Sequence, residues 1–364
     1  MFALPAAGLA IGALYAKFGA TVVGGNNLVI DTIHDGGPEI PARMLPMVLV
    51  GTVLTHLFGG SAGREGTAVQ MGASAADWIA NRLRLDKGLR RAVIAAGVAG
   101  GFGSVFGTPI AGAIFGLEFI TLGAIEYEAL APALVASVTG DLVCRALGTH
   151  HTIYPIVPHF ALDPLRCAAW LAFGLAVAVV AAVFIELTHA LKRAGGTRWL
   201  GWRMAVGGAI VVGLWQLVGT SDYLGIGVPS IVHAFSAPVP AYAFALKLVF
   251  TAVTLGAGFL GGEVTPLFFI GATLGAVIGP PLGIPQPLAA GVGMAAMFAA
   301  ASNTPLALSV MAVELLGGNA LPHVVIVCVV AYLAAGHRSI YPSQRIARGK
   351  LGGIWTPPVR LREL

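Results

Sequence analysis

Charge is what this chain has least of. Charged side chains make up 10% of its 364 residues against 57% hydrophobic ones, and the mean hydropathy is +0.85, whereas a soluble domain carries about 25% charge. That scarcity excludes a water-soluble globular protein and places most of the chain in lipid. Cysteine is nearly as rare: Cys144, Cys167 and Cys328 stand far apart, which excludes a disulfide framework, paired metal ligands and a CxxC redox centre and leaves packing as their role. The sequence also lacks HExxH and GxSxG, and Ser61, Ser302 and Ser309 have no evident base nearby. An intramembrane hydrolase is therefore not expected, nor is any enzyme, cofactor or metal site. The first twenty residues lack a basic stretch, their one charge being Lys17, so they read as a helix that stays and not as a cleaved leader. A net charge of +5 raises nucleic acid as a partner. The cations argue otherwise, because Arg82, Arg84, Lys87, Arg90 and Arg91, like Lys192, Arg193, Arg198 and Arg203, fall between apolar blocks, as cytoplasmic loops of a membrane protein do.

Glycine and proline, by contrast, are plentiful, at 50 and 22 residues. They suit membrane helices that pack closely, break or re-enter the bilayer. Apolar segments occur around residues 1 to 23, 44 to 59, 90 to 120, 129 to 148, 164 to 190, 204 to 220, 241 to 260, 266 to 282, 286 to 316 and 321 to 335. Two of them, 90 to 120 and 286 to 316, are too long for one span and contain Thr108-Pro109 and Thr304-Pro305, where one helix stops and another begins. No stretch reads as a soluble regulatory domain, and the polar tail after Tyr341 is too short to be one. The expectation is one all-α integral membrane domain over residues 1–364.

Laying Thr108-Pro109 on Thr304-Pro305, a shift of 196 residues, also lays Gly97, Ala99, Phe102, Ala111 and Glu118 on Gly293, Ala295, Phe298, Ala307 and Glu314. Upstream, Gly63 and Gly72 match Gly262 and Gly271 at a shift of 199, and Gly25 matches Gly225 at 200. Recurrent small residues in packed membrane helices would account for the glycines, but less well for the Thr-Pro and the trailing glutamate. Two like halves, about 20–150 and 200–342, mark transporters in which broken helices from both repeats meet at a central ion site.

Gly63-Arg64-Glu65-Gly66-Thr67 opens an apolar helix, whose free N–H groups and dipole attract anions. The Glu65 carboxylate and a transported anion could then compete for one place, and protonation of Glu65 would release it, coupling proton to anion movement. The alternative is an Arg64–Glu65 pair that only holds the loop. In the second half, Gly261-Gly262-Glu263-Val264-Thr265-Pro266 opens a matching helix. Pro266 fits the first turn, leaving Thr265 as a cap or as a hydroxyl offered to an anion, and Glu263 as loop support or a second proton carrier. Gly24-Gly25-Asn26-Asn27 precedes an amphipathic stretch, where the Asn amides are either caps or strong neutral donors. Tyr341, after the last apolar segment, is an interfacial anchor or a phenol that donates to a dehydrated ion.

Taken together, the glycine-rich opening loop, Gly-Arg-Glu-Gly, Gly-Gly-x-x-x-Pro and a late Tyr resemble the CLC family of anion channels and antiporters, from Gly24 to Gln344. Thr108-Pro109-Ile110-Ala111-Gly112 and Gly225-Ile226-Gly227-Val228-Pro229 add to the likeness. The resemblance implies two inverted halves of tilted helices, a homodimer embedded in lipid with one pathway per subunit, a multi-pass location in the cell (inner) membrane, and Glu65 as the gating glutamate. Chloride-handling members carry Gly-Ser-Gly-Ile-Pro at the opening loop, where this chain has Gly25-Asn26-Asn27-Leu28-Val29. Glu263-Val264-Thr265-Pro266 resembles instead the fluoride/proton antiporters. That branch implies fluoride and protons as the transported ions, Glu65 as gate and proton carrier, and Asn26, Asn27, Thr265, Tyr341 and the Gly66 backbone around the anion. Arg64 and Glu263 are implied as loop support or proton route. Fluoride is small and strongly hydrated, so firm donors suit it. The alternative within the family is a chloride channel or chloride/proton exchanger. Where such exchangers keep an inner glutamate, just after the position of Glu118, this chain has Phe119, so the proton is expected to travel differently. The resemblance also implies a further amino-terminal helix before the opening loop, which points to a truncated or misassigned start and a thinner bundle wall.

Overall fold

The computed structural model describes residues 1–35, 39–196 and 199–363; Arg198, counted above among the loop cations, lies outside the described residues. Every apolar segment becomes helix. The first half contains α1 (Leu4–Phe18), α2 (Asn26–Asp35), α3 (Met44–Leu57), α4 (Glu65–Arg82), α5 (Lys87–Phe106), α6 (Pro109–Glu118) and α7 (Leu130–Ala146). The second contains α8 (Pro164–Gly195), α9 (Leu200–Val218), α10 (Val228–His233), α11 (Ala243–Ala257), α12 (Val264–Ile278), α13 (Gln286–Ser302), α14 (Pro305–Leu316) and α15 (Leu321–Ala334). Among the described residues, α5, 127–146, α8 and α9 are long and apolar enough to cross a membrane. The other apolar helices are shorter, at 10–17 residues. Both predicted breaks are present: Gly107 (φ +69°) separates α5 from α6, and Asn303 (φ +61°) separates α13 from α14. Asn tolerates that left-handed conformation better than most residues, and here its amide is held by the Arg338 carbonyl and the Gln344 side chain.

The residues that repeat in sequence meet in space. Glu314, ending α14, accepts from the Ile110 and Ala111 amides at the start of α6 (3.0 and 2.8 Å), while Glu118, ending α6, accepts from Leu306 and Ala307 at the start of α14 (3.0 and 2.8 Å). Such an exchange requires α6 and α14 to run antiparallel. Gly63 and Gly262 exchange two backbone hydrogen bonds of 2.7 Å each, and the Phe102 and Phe298 rings stack with planes 13° apart. The glycine and phenylalanine pairs each join a residue to its own counterpart, and the two caps are counterparts of each other, which is the signature of a two-fold axis between halves of opposite direction. The glycine pairs do equivalent work within each half: a Cβ on Gly72 would lie 2.2 Å from the Gly97 carbonyl oxygen, and one on Gly271 would lie 2.1 Å from that of Gly293. The α4–α5 and α12–α13 crossings therefore depend on backbone meeting backbone. The fold is thus an all-α inverted repeat of tilted and broken helices.

The reciprocal caps have a measurable consequence. Glu314→Ala leaves two amides at the start of α6 without their acceptor and is expected to cost about 1–3 kcal/mol, read as a lower unfolding temperature in detergent. Glu118→Ala should cost the same by symmetry, and a clear inequality between the two would contradict equivalent roles.

The polar tail is the one part that the all-helical expectation did not anticipate. It folds back as β2 (Arg345–Arg348), parallel to the short β1 (Thr121–Leu122), and β3 (Ile354–Arg360), antiparallel to β2. Arg345 and Arg360 pair with Asp35, and Arg360 also with Asp31, at the far end of α2. The Arg345 guanidinium holds the Asp35 carboxyl below the usual carboxylate range. A lowered folded-state pKa means that this attachment contributes stability above about pH 4 and loses it as pH falls through the lowered value.

Candidate functional site

Three helix starts converge at the two-fold axis: Glu65 begins α4, Val264 begins α12 and Asn26 begins α2. Each brings unpaired N–H groups and a positive dipole end. The Gly63–Gly262 exchange fixes the first two against each other, and the loop before Glu65 is braced further. The His56 ring nitrogens lie 2.8 Å from the Thr52 carbonyl oxygen and 3.0 Å from that of Ala62, while Ser61 meets Thr251 and Thr254 through a 2.9 Å hydroxyl contact and a 3.1 Å amide bond. The sequence offered no sign of His56 beyond a lone histidine at a helix end.

Glu65 is 2% exposed, and its carboxylate reaches across the axis. One oxygen accepts the Thr265 hydroxyl at 2.5 Å; the other accepts the Arg64 amide at 3.0 Å and the Thr265 amide at 3.3 Å. The carboxylate therefore sits on the electropositive start of α12, a helix from the opposite repeat. Of the two roles open to Thr265, its hydroxyl takes donation to an anionic group and caps no helix. The Arg64 side chain is exposed and forms no ion pair with Glu65 among the described residues, so the alternative of a loop-holding pair is not what the structure contains. Arg64 contributes through its backbone amide alone.

Gly66 is buried where its side chain would point at the other helix starts. A Cβ there would stand 3.1 Å from the Gly262 Cα, 3.4 Å from the Asn26 amide nitrogen and 3.9 Å from a Glu263 carboxylate oxygen. Asn26 is 7% exposed and its carbonyl oxygen is buried without a partner, so it is not capping α2. Asn27 instead accepts the Ser343 amide at 3.0 Å, which ties the start of α2 to the chain just after Tyr341. Tyr341 is buried, 3% exposed, with its ring edge against Phe119. The interfacial-anchor alternative is thereby corrected: the chain after α15 turns inward, with the Ile340 amide bonded to the Ala301 carbonyl. A cavity of roughly 290 Å³ joins these groups, lined by Asn26, Asn27, Thr67, Gln70, Glu263 and Tyr341. The structure thus brings Glu65, Gly66, Asn26, Asn27, Thr265, Glu263 and Tyr341 to one region, and leaves only the Arg64 side chain outside it. The Thr265 hydroxyl and amide and the Arg64 amide hold a position that one negative group already occupies. That arrangement can hold a small dehydrated anion or the carboxylate, but not both.

Known proteins share the sequence and the fold of this chain. The family model described as voltage gated chloride channel matches residues 7–336. A protein of Pseudomonas syringae pv. tomato named "chloride/fluoride channel protein" is 45% identical over 99% of this chain and 82% of its own length. A solved structure described as a CLC-type fluoride/proton antiporter superposes with a TM-score of 0.92 at 38% identity, over 95% of this chain and 88% of that one. A slow cyanobacterial Cl⁻/H⁺ antiporter shares the fold, with a TM-score of 0.80 at 20% identity, over 91% of this chain and 82% of its own.

Proposed function

This chain belongs to the voltage gated chloride channel family, and on that premise we propose that it is a multi-pass antiporter of the cell's inner membrane that exports fluoride in exchange for protons. The observation that carries the reading is the Glu65 carboxylate resting on the Thr265 hydroxyl and amide of the opposite repeat. When ionised, Glu65 fills the anion position. A proton removes its charge and converts an acceptor oxygen into a donor, so the carboxyl leaves and fluoride takes over the Thr265 donors. Loss of the proton on the other side returns the carboxylate and expels the anion. One site used in turn by two negative groups couples the two ions without a second device.

Fluoride is favoured by the donors available. The Thr265 hydroxyl donates to the position, the Asn26 amide stands beside the adjoining Gly66, Asn26 and Tyr341 line one cavity, and short charge-assisted bonds are what repay the dehydration of a small ion. Phe119 is fully buried and packed against Tyr341, so the proton passes through Glu65 and the cavity, with Glu263 and Tyr341 beside it. The likeness to a fluoride/proton antiporter, and to a relative named for chloride and fluoride, points the same way. We further assign the described chain as a transport domain whose work is ion exchange and not catalysis, surrounded by lipid and paired with a second copy. Ile110 and Leu306, repeat counterparts beside the glutamate caps, are 53% and 46% exposed, as an apolar face covered by lipid or a partner would be.

The test is reconstitution. Vesicles loaded with potassium fluoride and carrying the purified protein are expected to release fluoride to an electrode while the external pH rises. Chloride release at the same rate from vesicles loaded with potassium chloride, with no proton movement in either case, would replace this reading by an anion channel.

A further inference from the structure

Three residues after Tyr341 the chain buries a polar side chain that the exchange described above does not use. Gln344 is 0% exposed, and its amide joins parts of the chain far apart in sequence. The nitrogen donates to the Phe119 carbonyl at 2.7 Å, just past the end of α6, and to the Ser302 carbonyl at 2.8 Å, at the end of α13. The oxygen accepts the Ser339 hydroxyl at 2.6 Å and the Asn303 side-chain amide at 3.1 Å. Two N–H groups and two lone pairs are all that a glutamine amide has, so every polar position is used. Turned over, the amide would set its oxygen against two carbonyl oxygens and its NH₂ against the Asn303 donor. A glutamate would present an oxygen to the same two carbonyls, and an asparagine is one methylene short.

What this joint holds is Tyr341. The Ser339 hydroxyl that donates to Gln344 accepts the Tyr341 amide at 2.9 Å, and the Gln344 backbone N–H returns to the Tyr341 carbonyl at 3.0 Å. The N–H and C=O of Tyr341 are thus both fixed through Gln344, one by way of Ser339. The ring is held from the same residue, since its edge meets the Phe119 ring, with centroids 6.0 Å apart, and Gln344 bonds the Phe119 carbonyl. Next to it, Ser343 ties the segment to α2 through Asn27 and Asp31. An apolar side chain would fill this space without the cost of burying an amide. What a fully bonded amide adds is direction, because its four partners leave it one orientation.

We propose that Gln344 is a positioning residue for ion exchange, which fixes the Tyr341 phenol in the cavity so that its hydroxyl meets the dehydrated anion in one geometry. This rests on the transport reading above and adds to it the group that sets one of its donors. Gln344 itself touches no ion. Its effect passes through Tyr341, because a donor free to wander loses rotamer freedom each time an anion arrives, whereas a donor already held loses little.

The experiment is a double-mutant cycle on reconstituted protein, with fluoride efflux measured against fluoride concentration for wild type, Tyr341→Phe, Gln344→Met and the double variant. Loss of folded protein lowers the saturated rate but leaves the half-saturating concentration of the remaining molecules alone, so the latter is the readout that a merely structural role would not move. Tyr341→Phe and Gln344→Met should each raise it about 5- to 10-fold, the size of one hydrogen bond to the ion. The double variant should match Tyr341→Phe alone, because a positioning residue has nothing left to position. Should Gln344→Met not fold, Ser339→Ala breaks the same link with a smaller change, and a rise of about threefold that vanishes in the Tyr341→Phe background is expected. A half-saturating concentration unchanged in either single variant of the cycle, or raised further in the double variant, overturns the proposal, as does Ser339→Ala at the wild-type value where it stands in for Gln344→Met. Failure of wild type to move fluoride at all would instead defeat the transport reading, which keeps the two outcomes apart.

Discussion

Glu65→Ala is expected to reduce proton uptake by fluoride-loaded vesicles to the level of vesicles without protein. The carboxylate is held by three donors, the Thr265 hydroxyl, the Thr265 amide and the Arg64 amide, each worth about 1.5–3 kcal/mol to a charged acceptor. A halide that takes the site must replace that interaction, on the order of 5 kcal/mol or more in sum, and protonation is what lets the carboxyl give it up. Alanine removes both the competitor and the proton carrier. The donors then stay open to fluoride, so the anion either leaks without protons or binds and stalls; in both cases coupling is lost. Glu65→Gln should likewise abolish proton movement, because the amide keeps the shape but carries no titrating group and sets an NH₂ against donors that need an acceptor. Parallel fluoride-electrode and pH recordings check both variants. Proton-coupled fluoride efflux that survives in Glu65→Ala would show that Glu65 is a structural group.

Much of this architecture is legible in the residues, and the exceptions have physical causes. Helix positions follow from long apolar runs, and the breaks after Gly107 and at Asn303 follow from Thr-Pro pairs, because proline denies the preceding turn its hydrogen bond wherever the helix lies. The repeat can be read because both halves need small residues where helices cross. What it does with Glu118 and Glu314 cannot, since sequence shows two matching glutamates but not that each serves the other's helix. Asn26 stayed ambiguous for a related reason: a helix cap and an anion donor are the same residue at the same place. The distinction comes from contacts remote in sequence, the Ser343 amide on Asn27 and the unpaired Asn26 oxygen. Tyr341 reads as an anchor in sequence because the inward turn is held by contacts remote along the chain, the Ile340 amide on the Ala301 carbonyl and the Gln344 amide on the Phe119 and Ser302 carbonyls.

The second large effect is expected from a methyl group. Gly262 gives and takes a 2.7 Å hydrogen bond with Gly63 at the axis, and a Cβ added to it would lie 2.6 Å from the Gly66 amide nitrogen, 3.3 Å from its Cα and 3.4 Å from the Glu65 amide nitrogen. Those neighbours are backbone and cannot rotate away. Gly262→Ala must therefore push the start of α4 from the start of α12, moving Glu65 relative to Thr265. Displacements near 1 Å at a reacting centre cost about 100-fold, so fluoride efflux should fall by about that factor. The loss of stability should be smaller, since the glycine contacts at the α4–α5 and α12–α13 crossings are untouched. Gly213→Ala supplies the contrast on the same protein: it lies within α9, nothing stands within 4 Å of its added Cβ, and replacing a mid-helix glycine gains up to about 1 kcal/mol. Efflux unchanged in Gly213→Ala and lost in Gly262→Ala, with both variants folded by size exclusion and thermal unfolding, is the pattern expected if ion exchange depends on two helix starts held at backbone contact. Wild-type efflux in Gly262→Ala would mean that the carboxylate and the anion do not share the site between them.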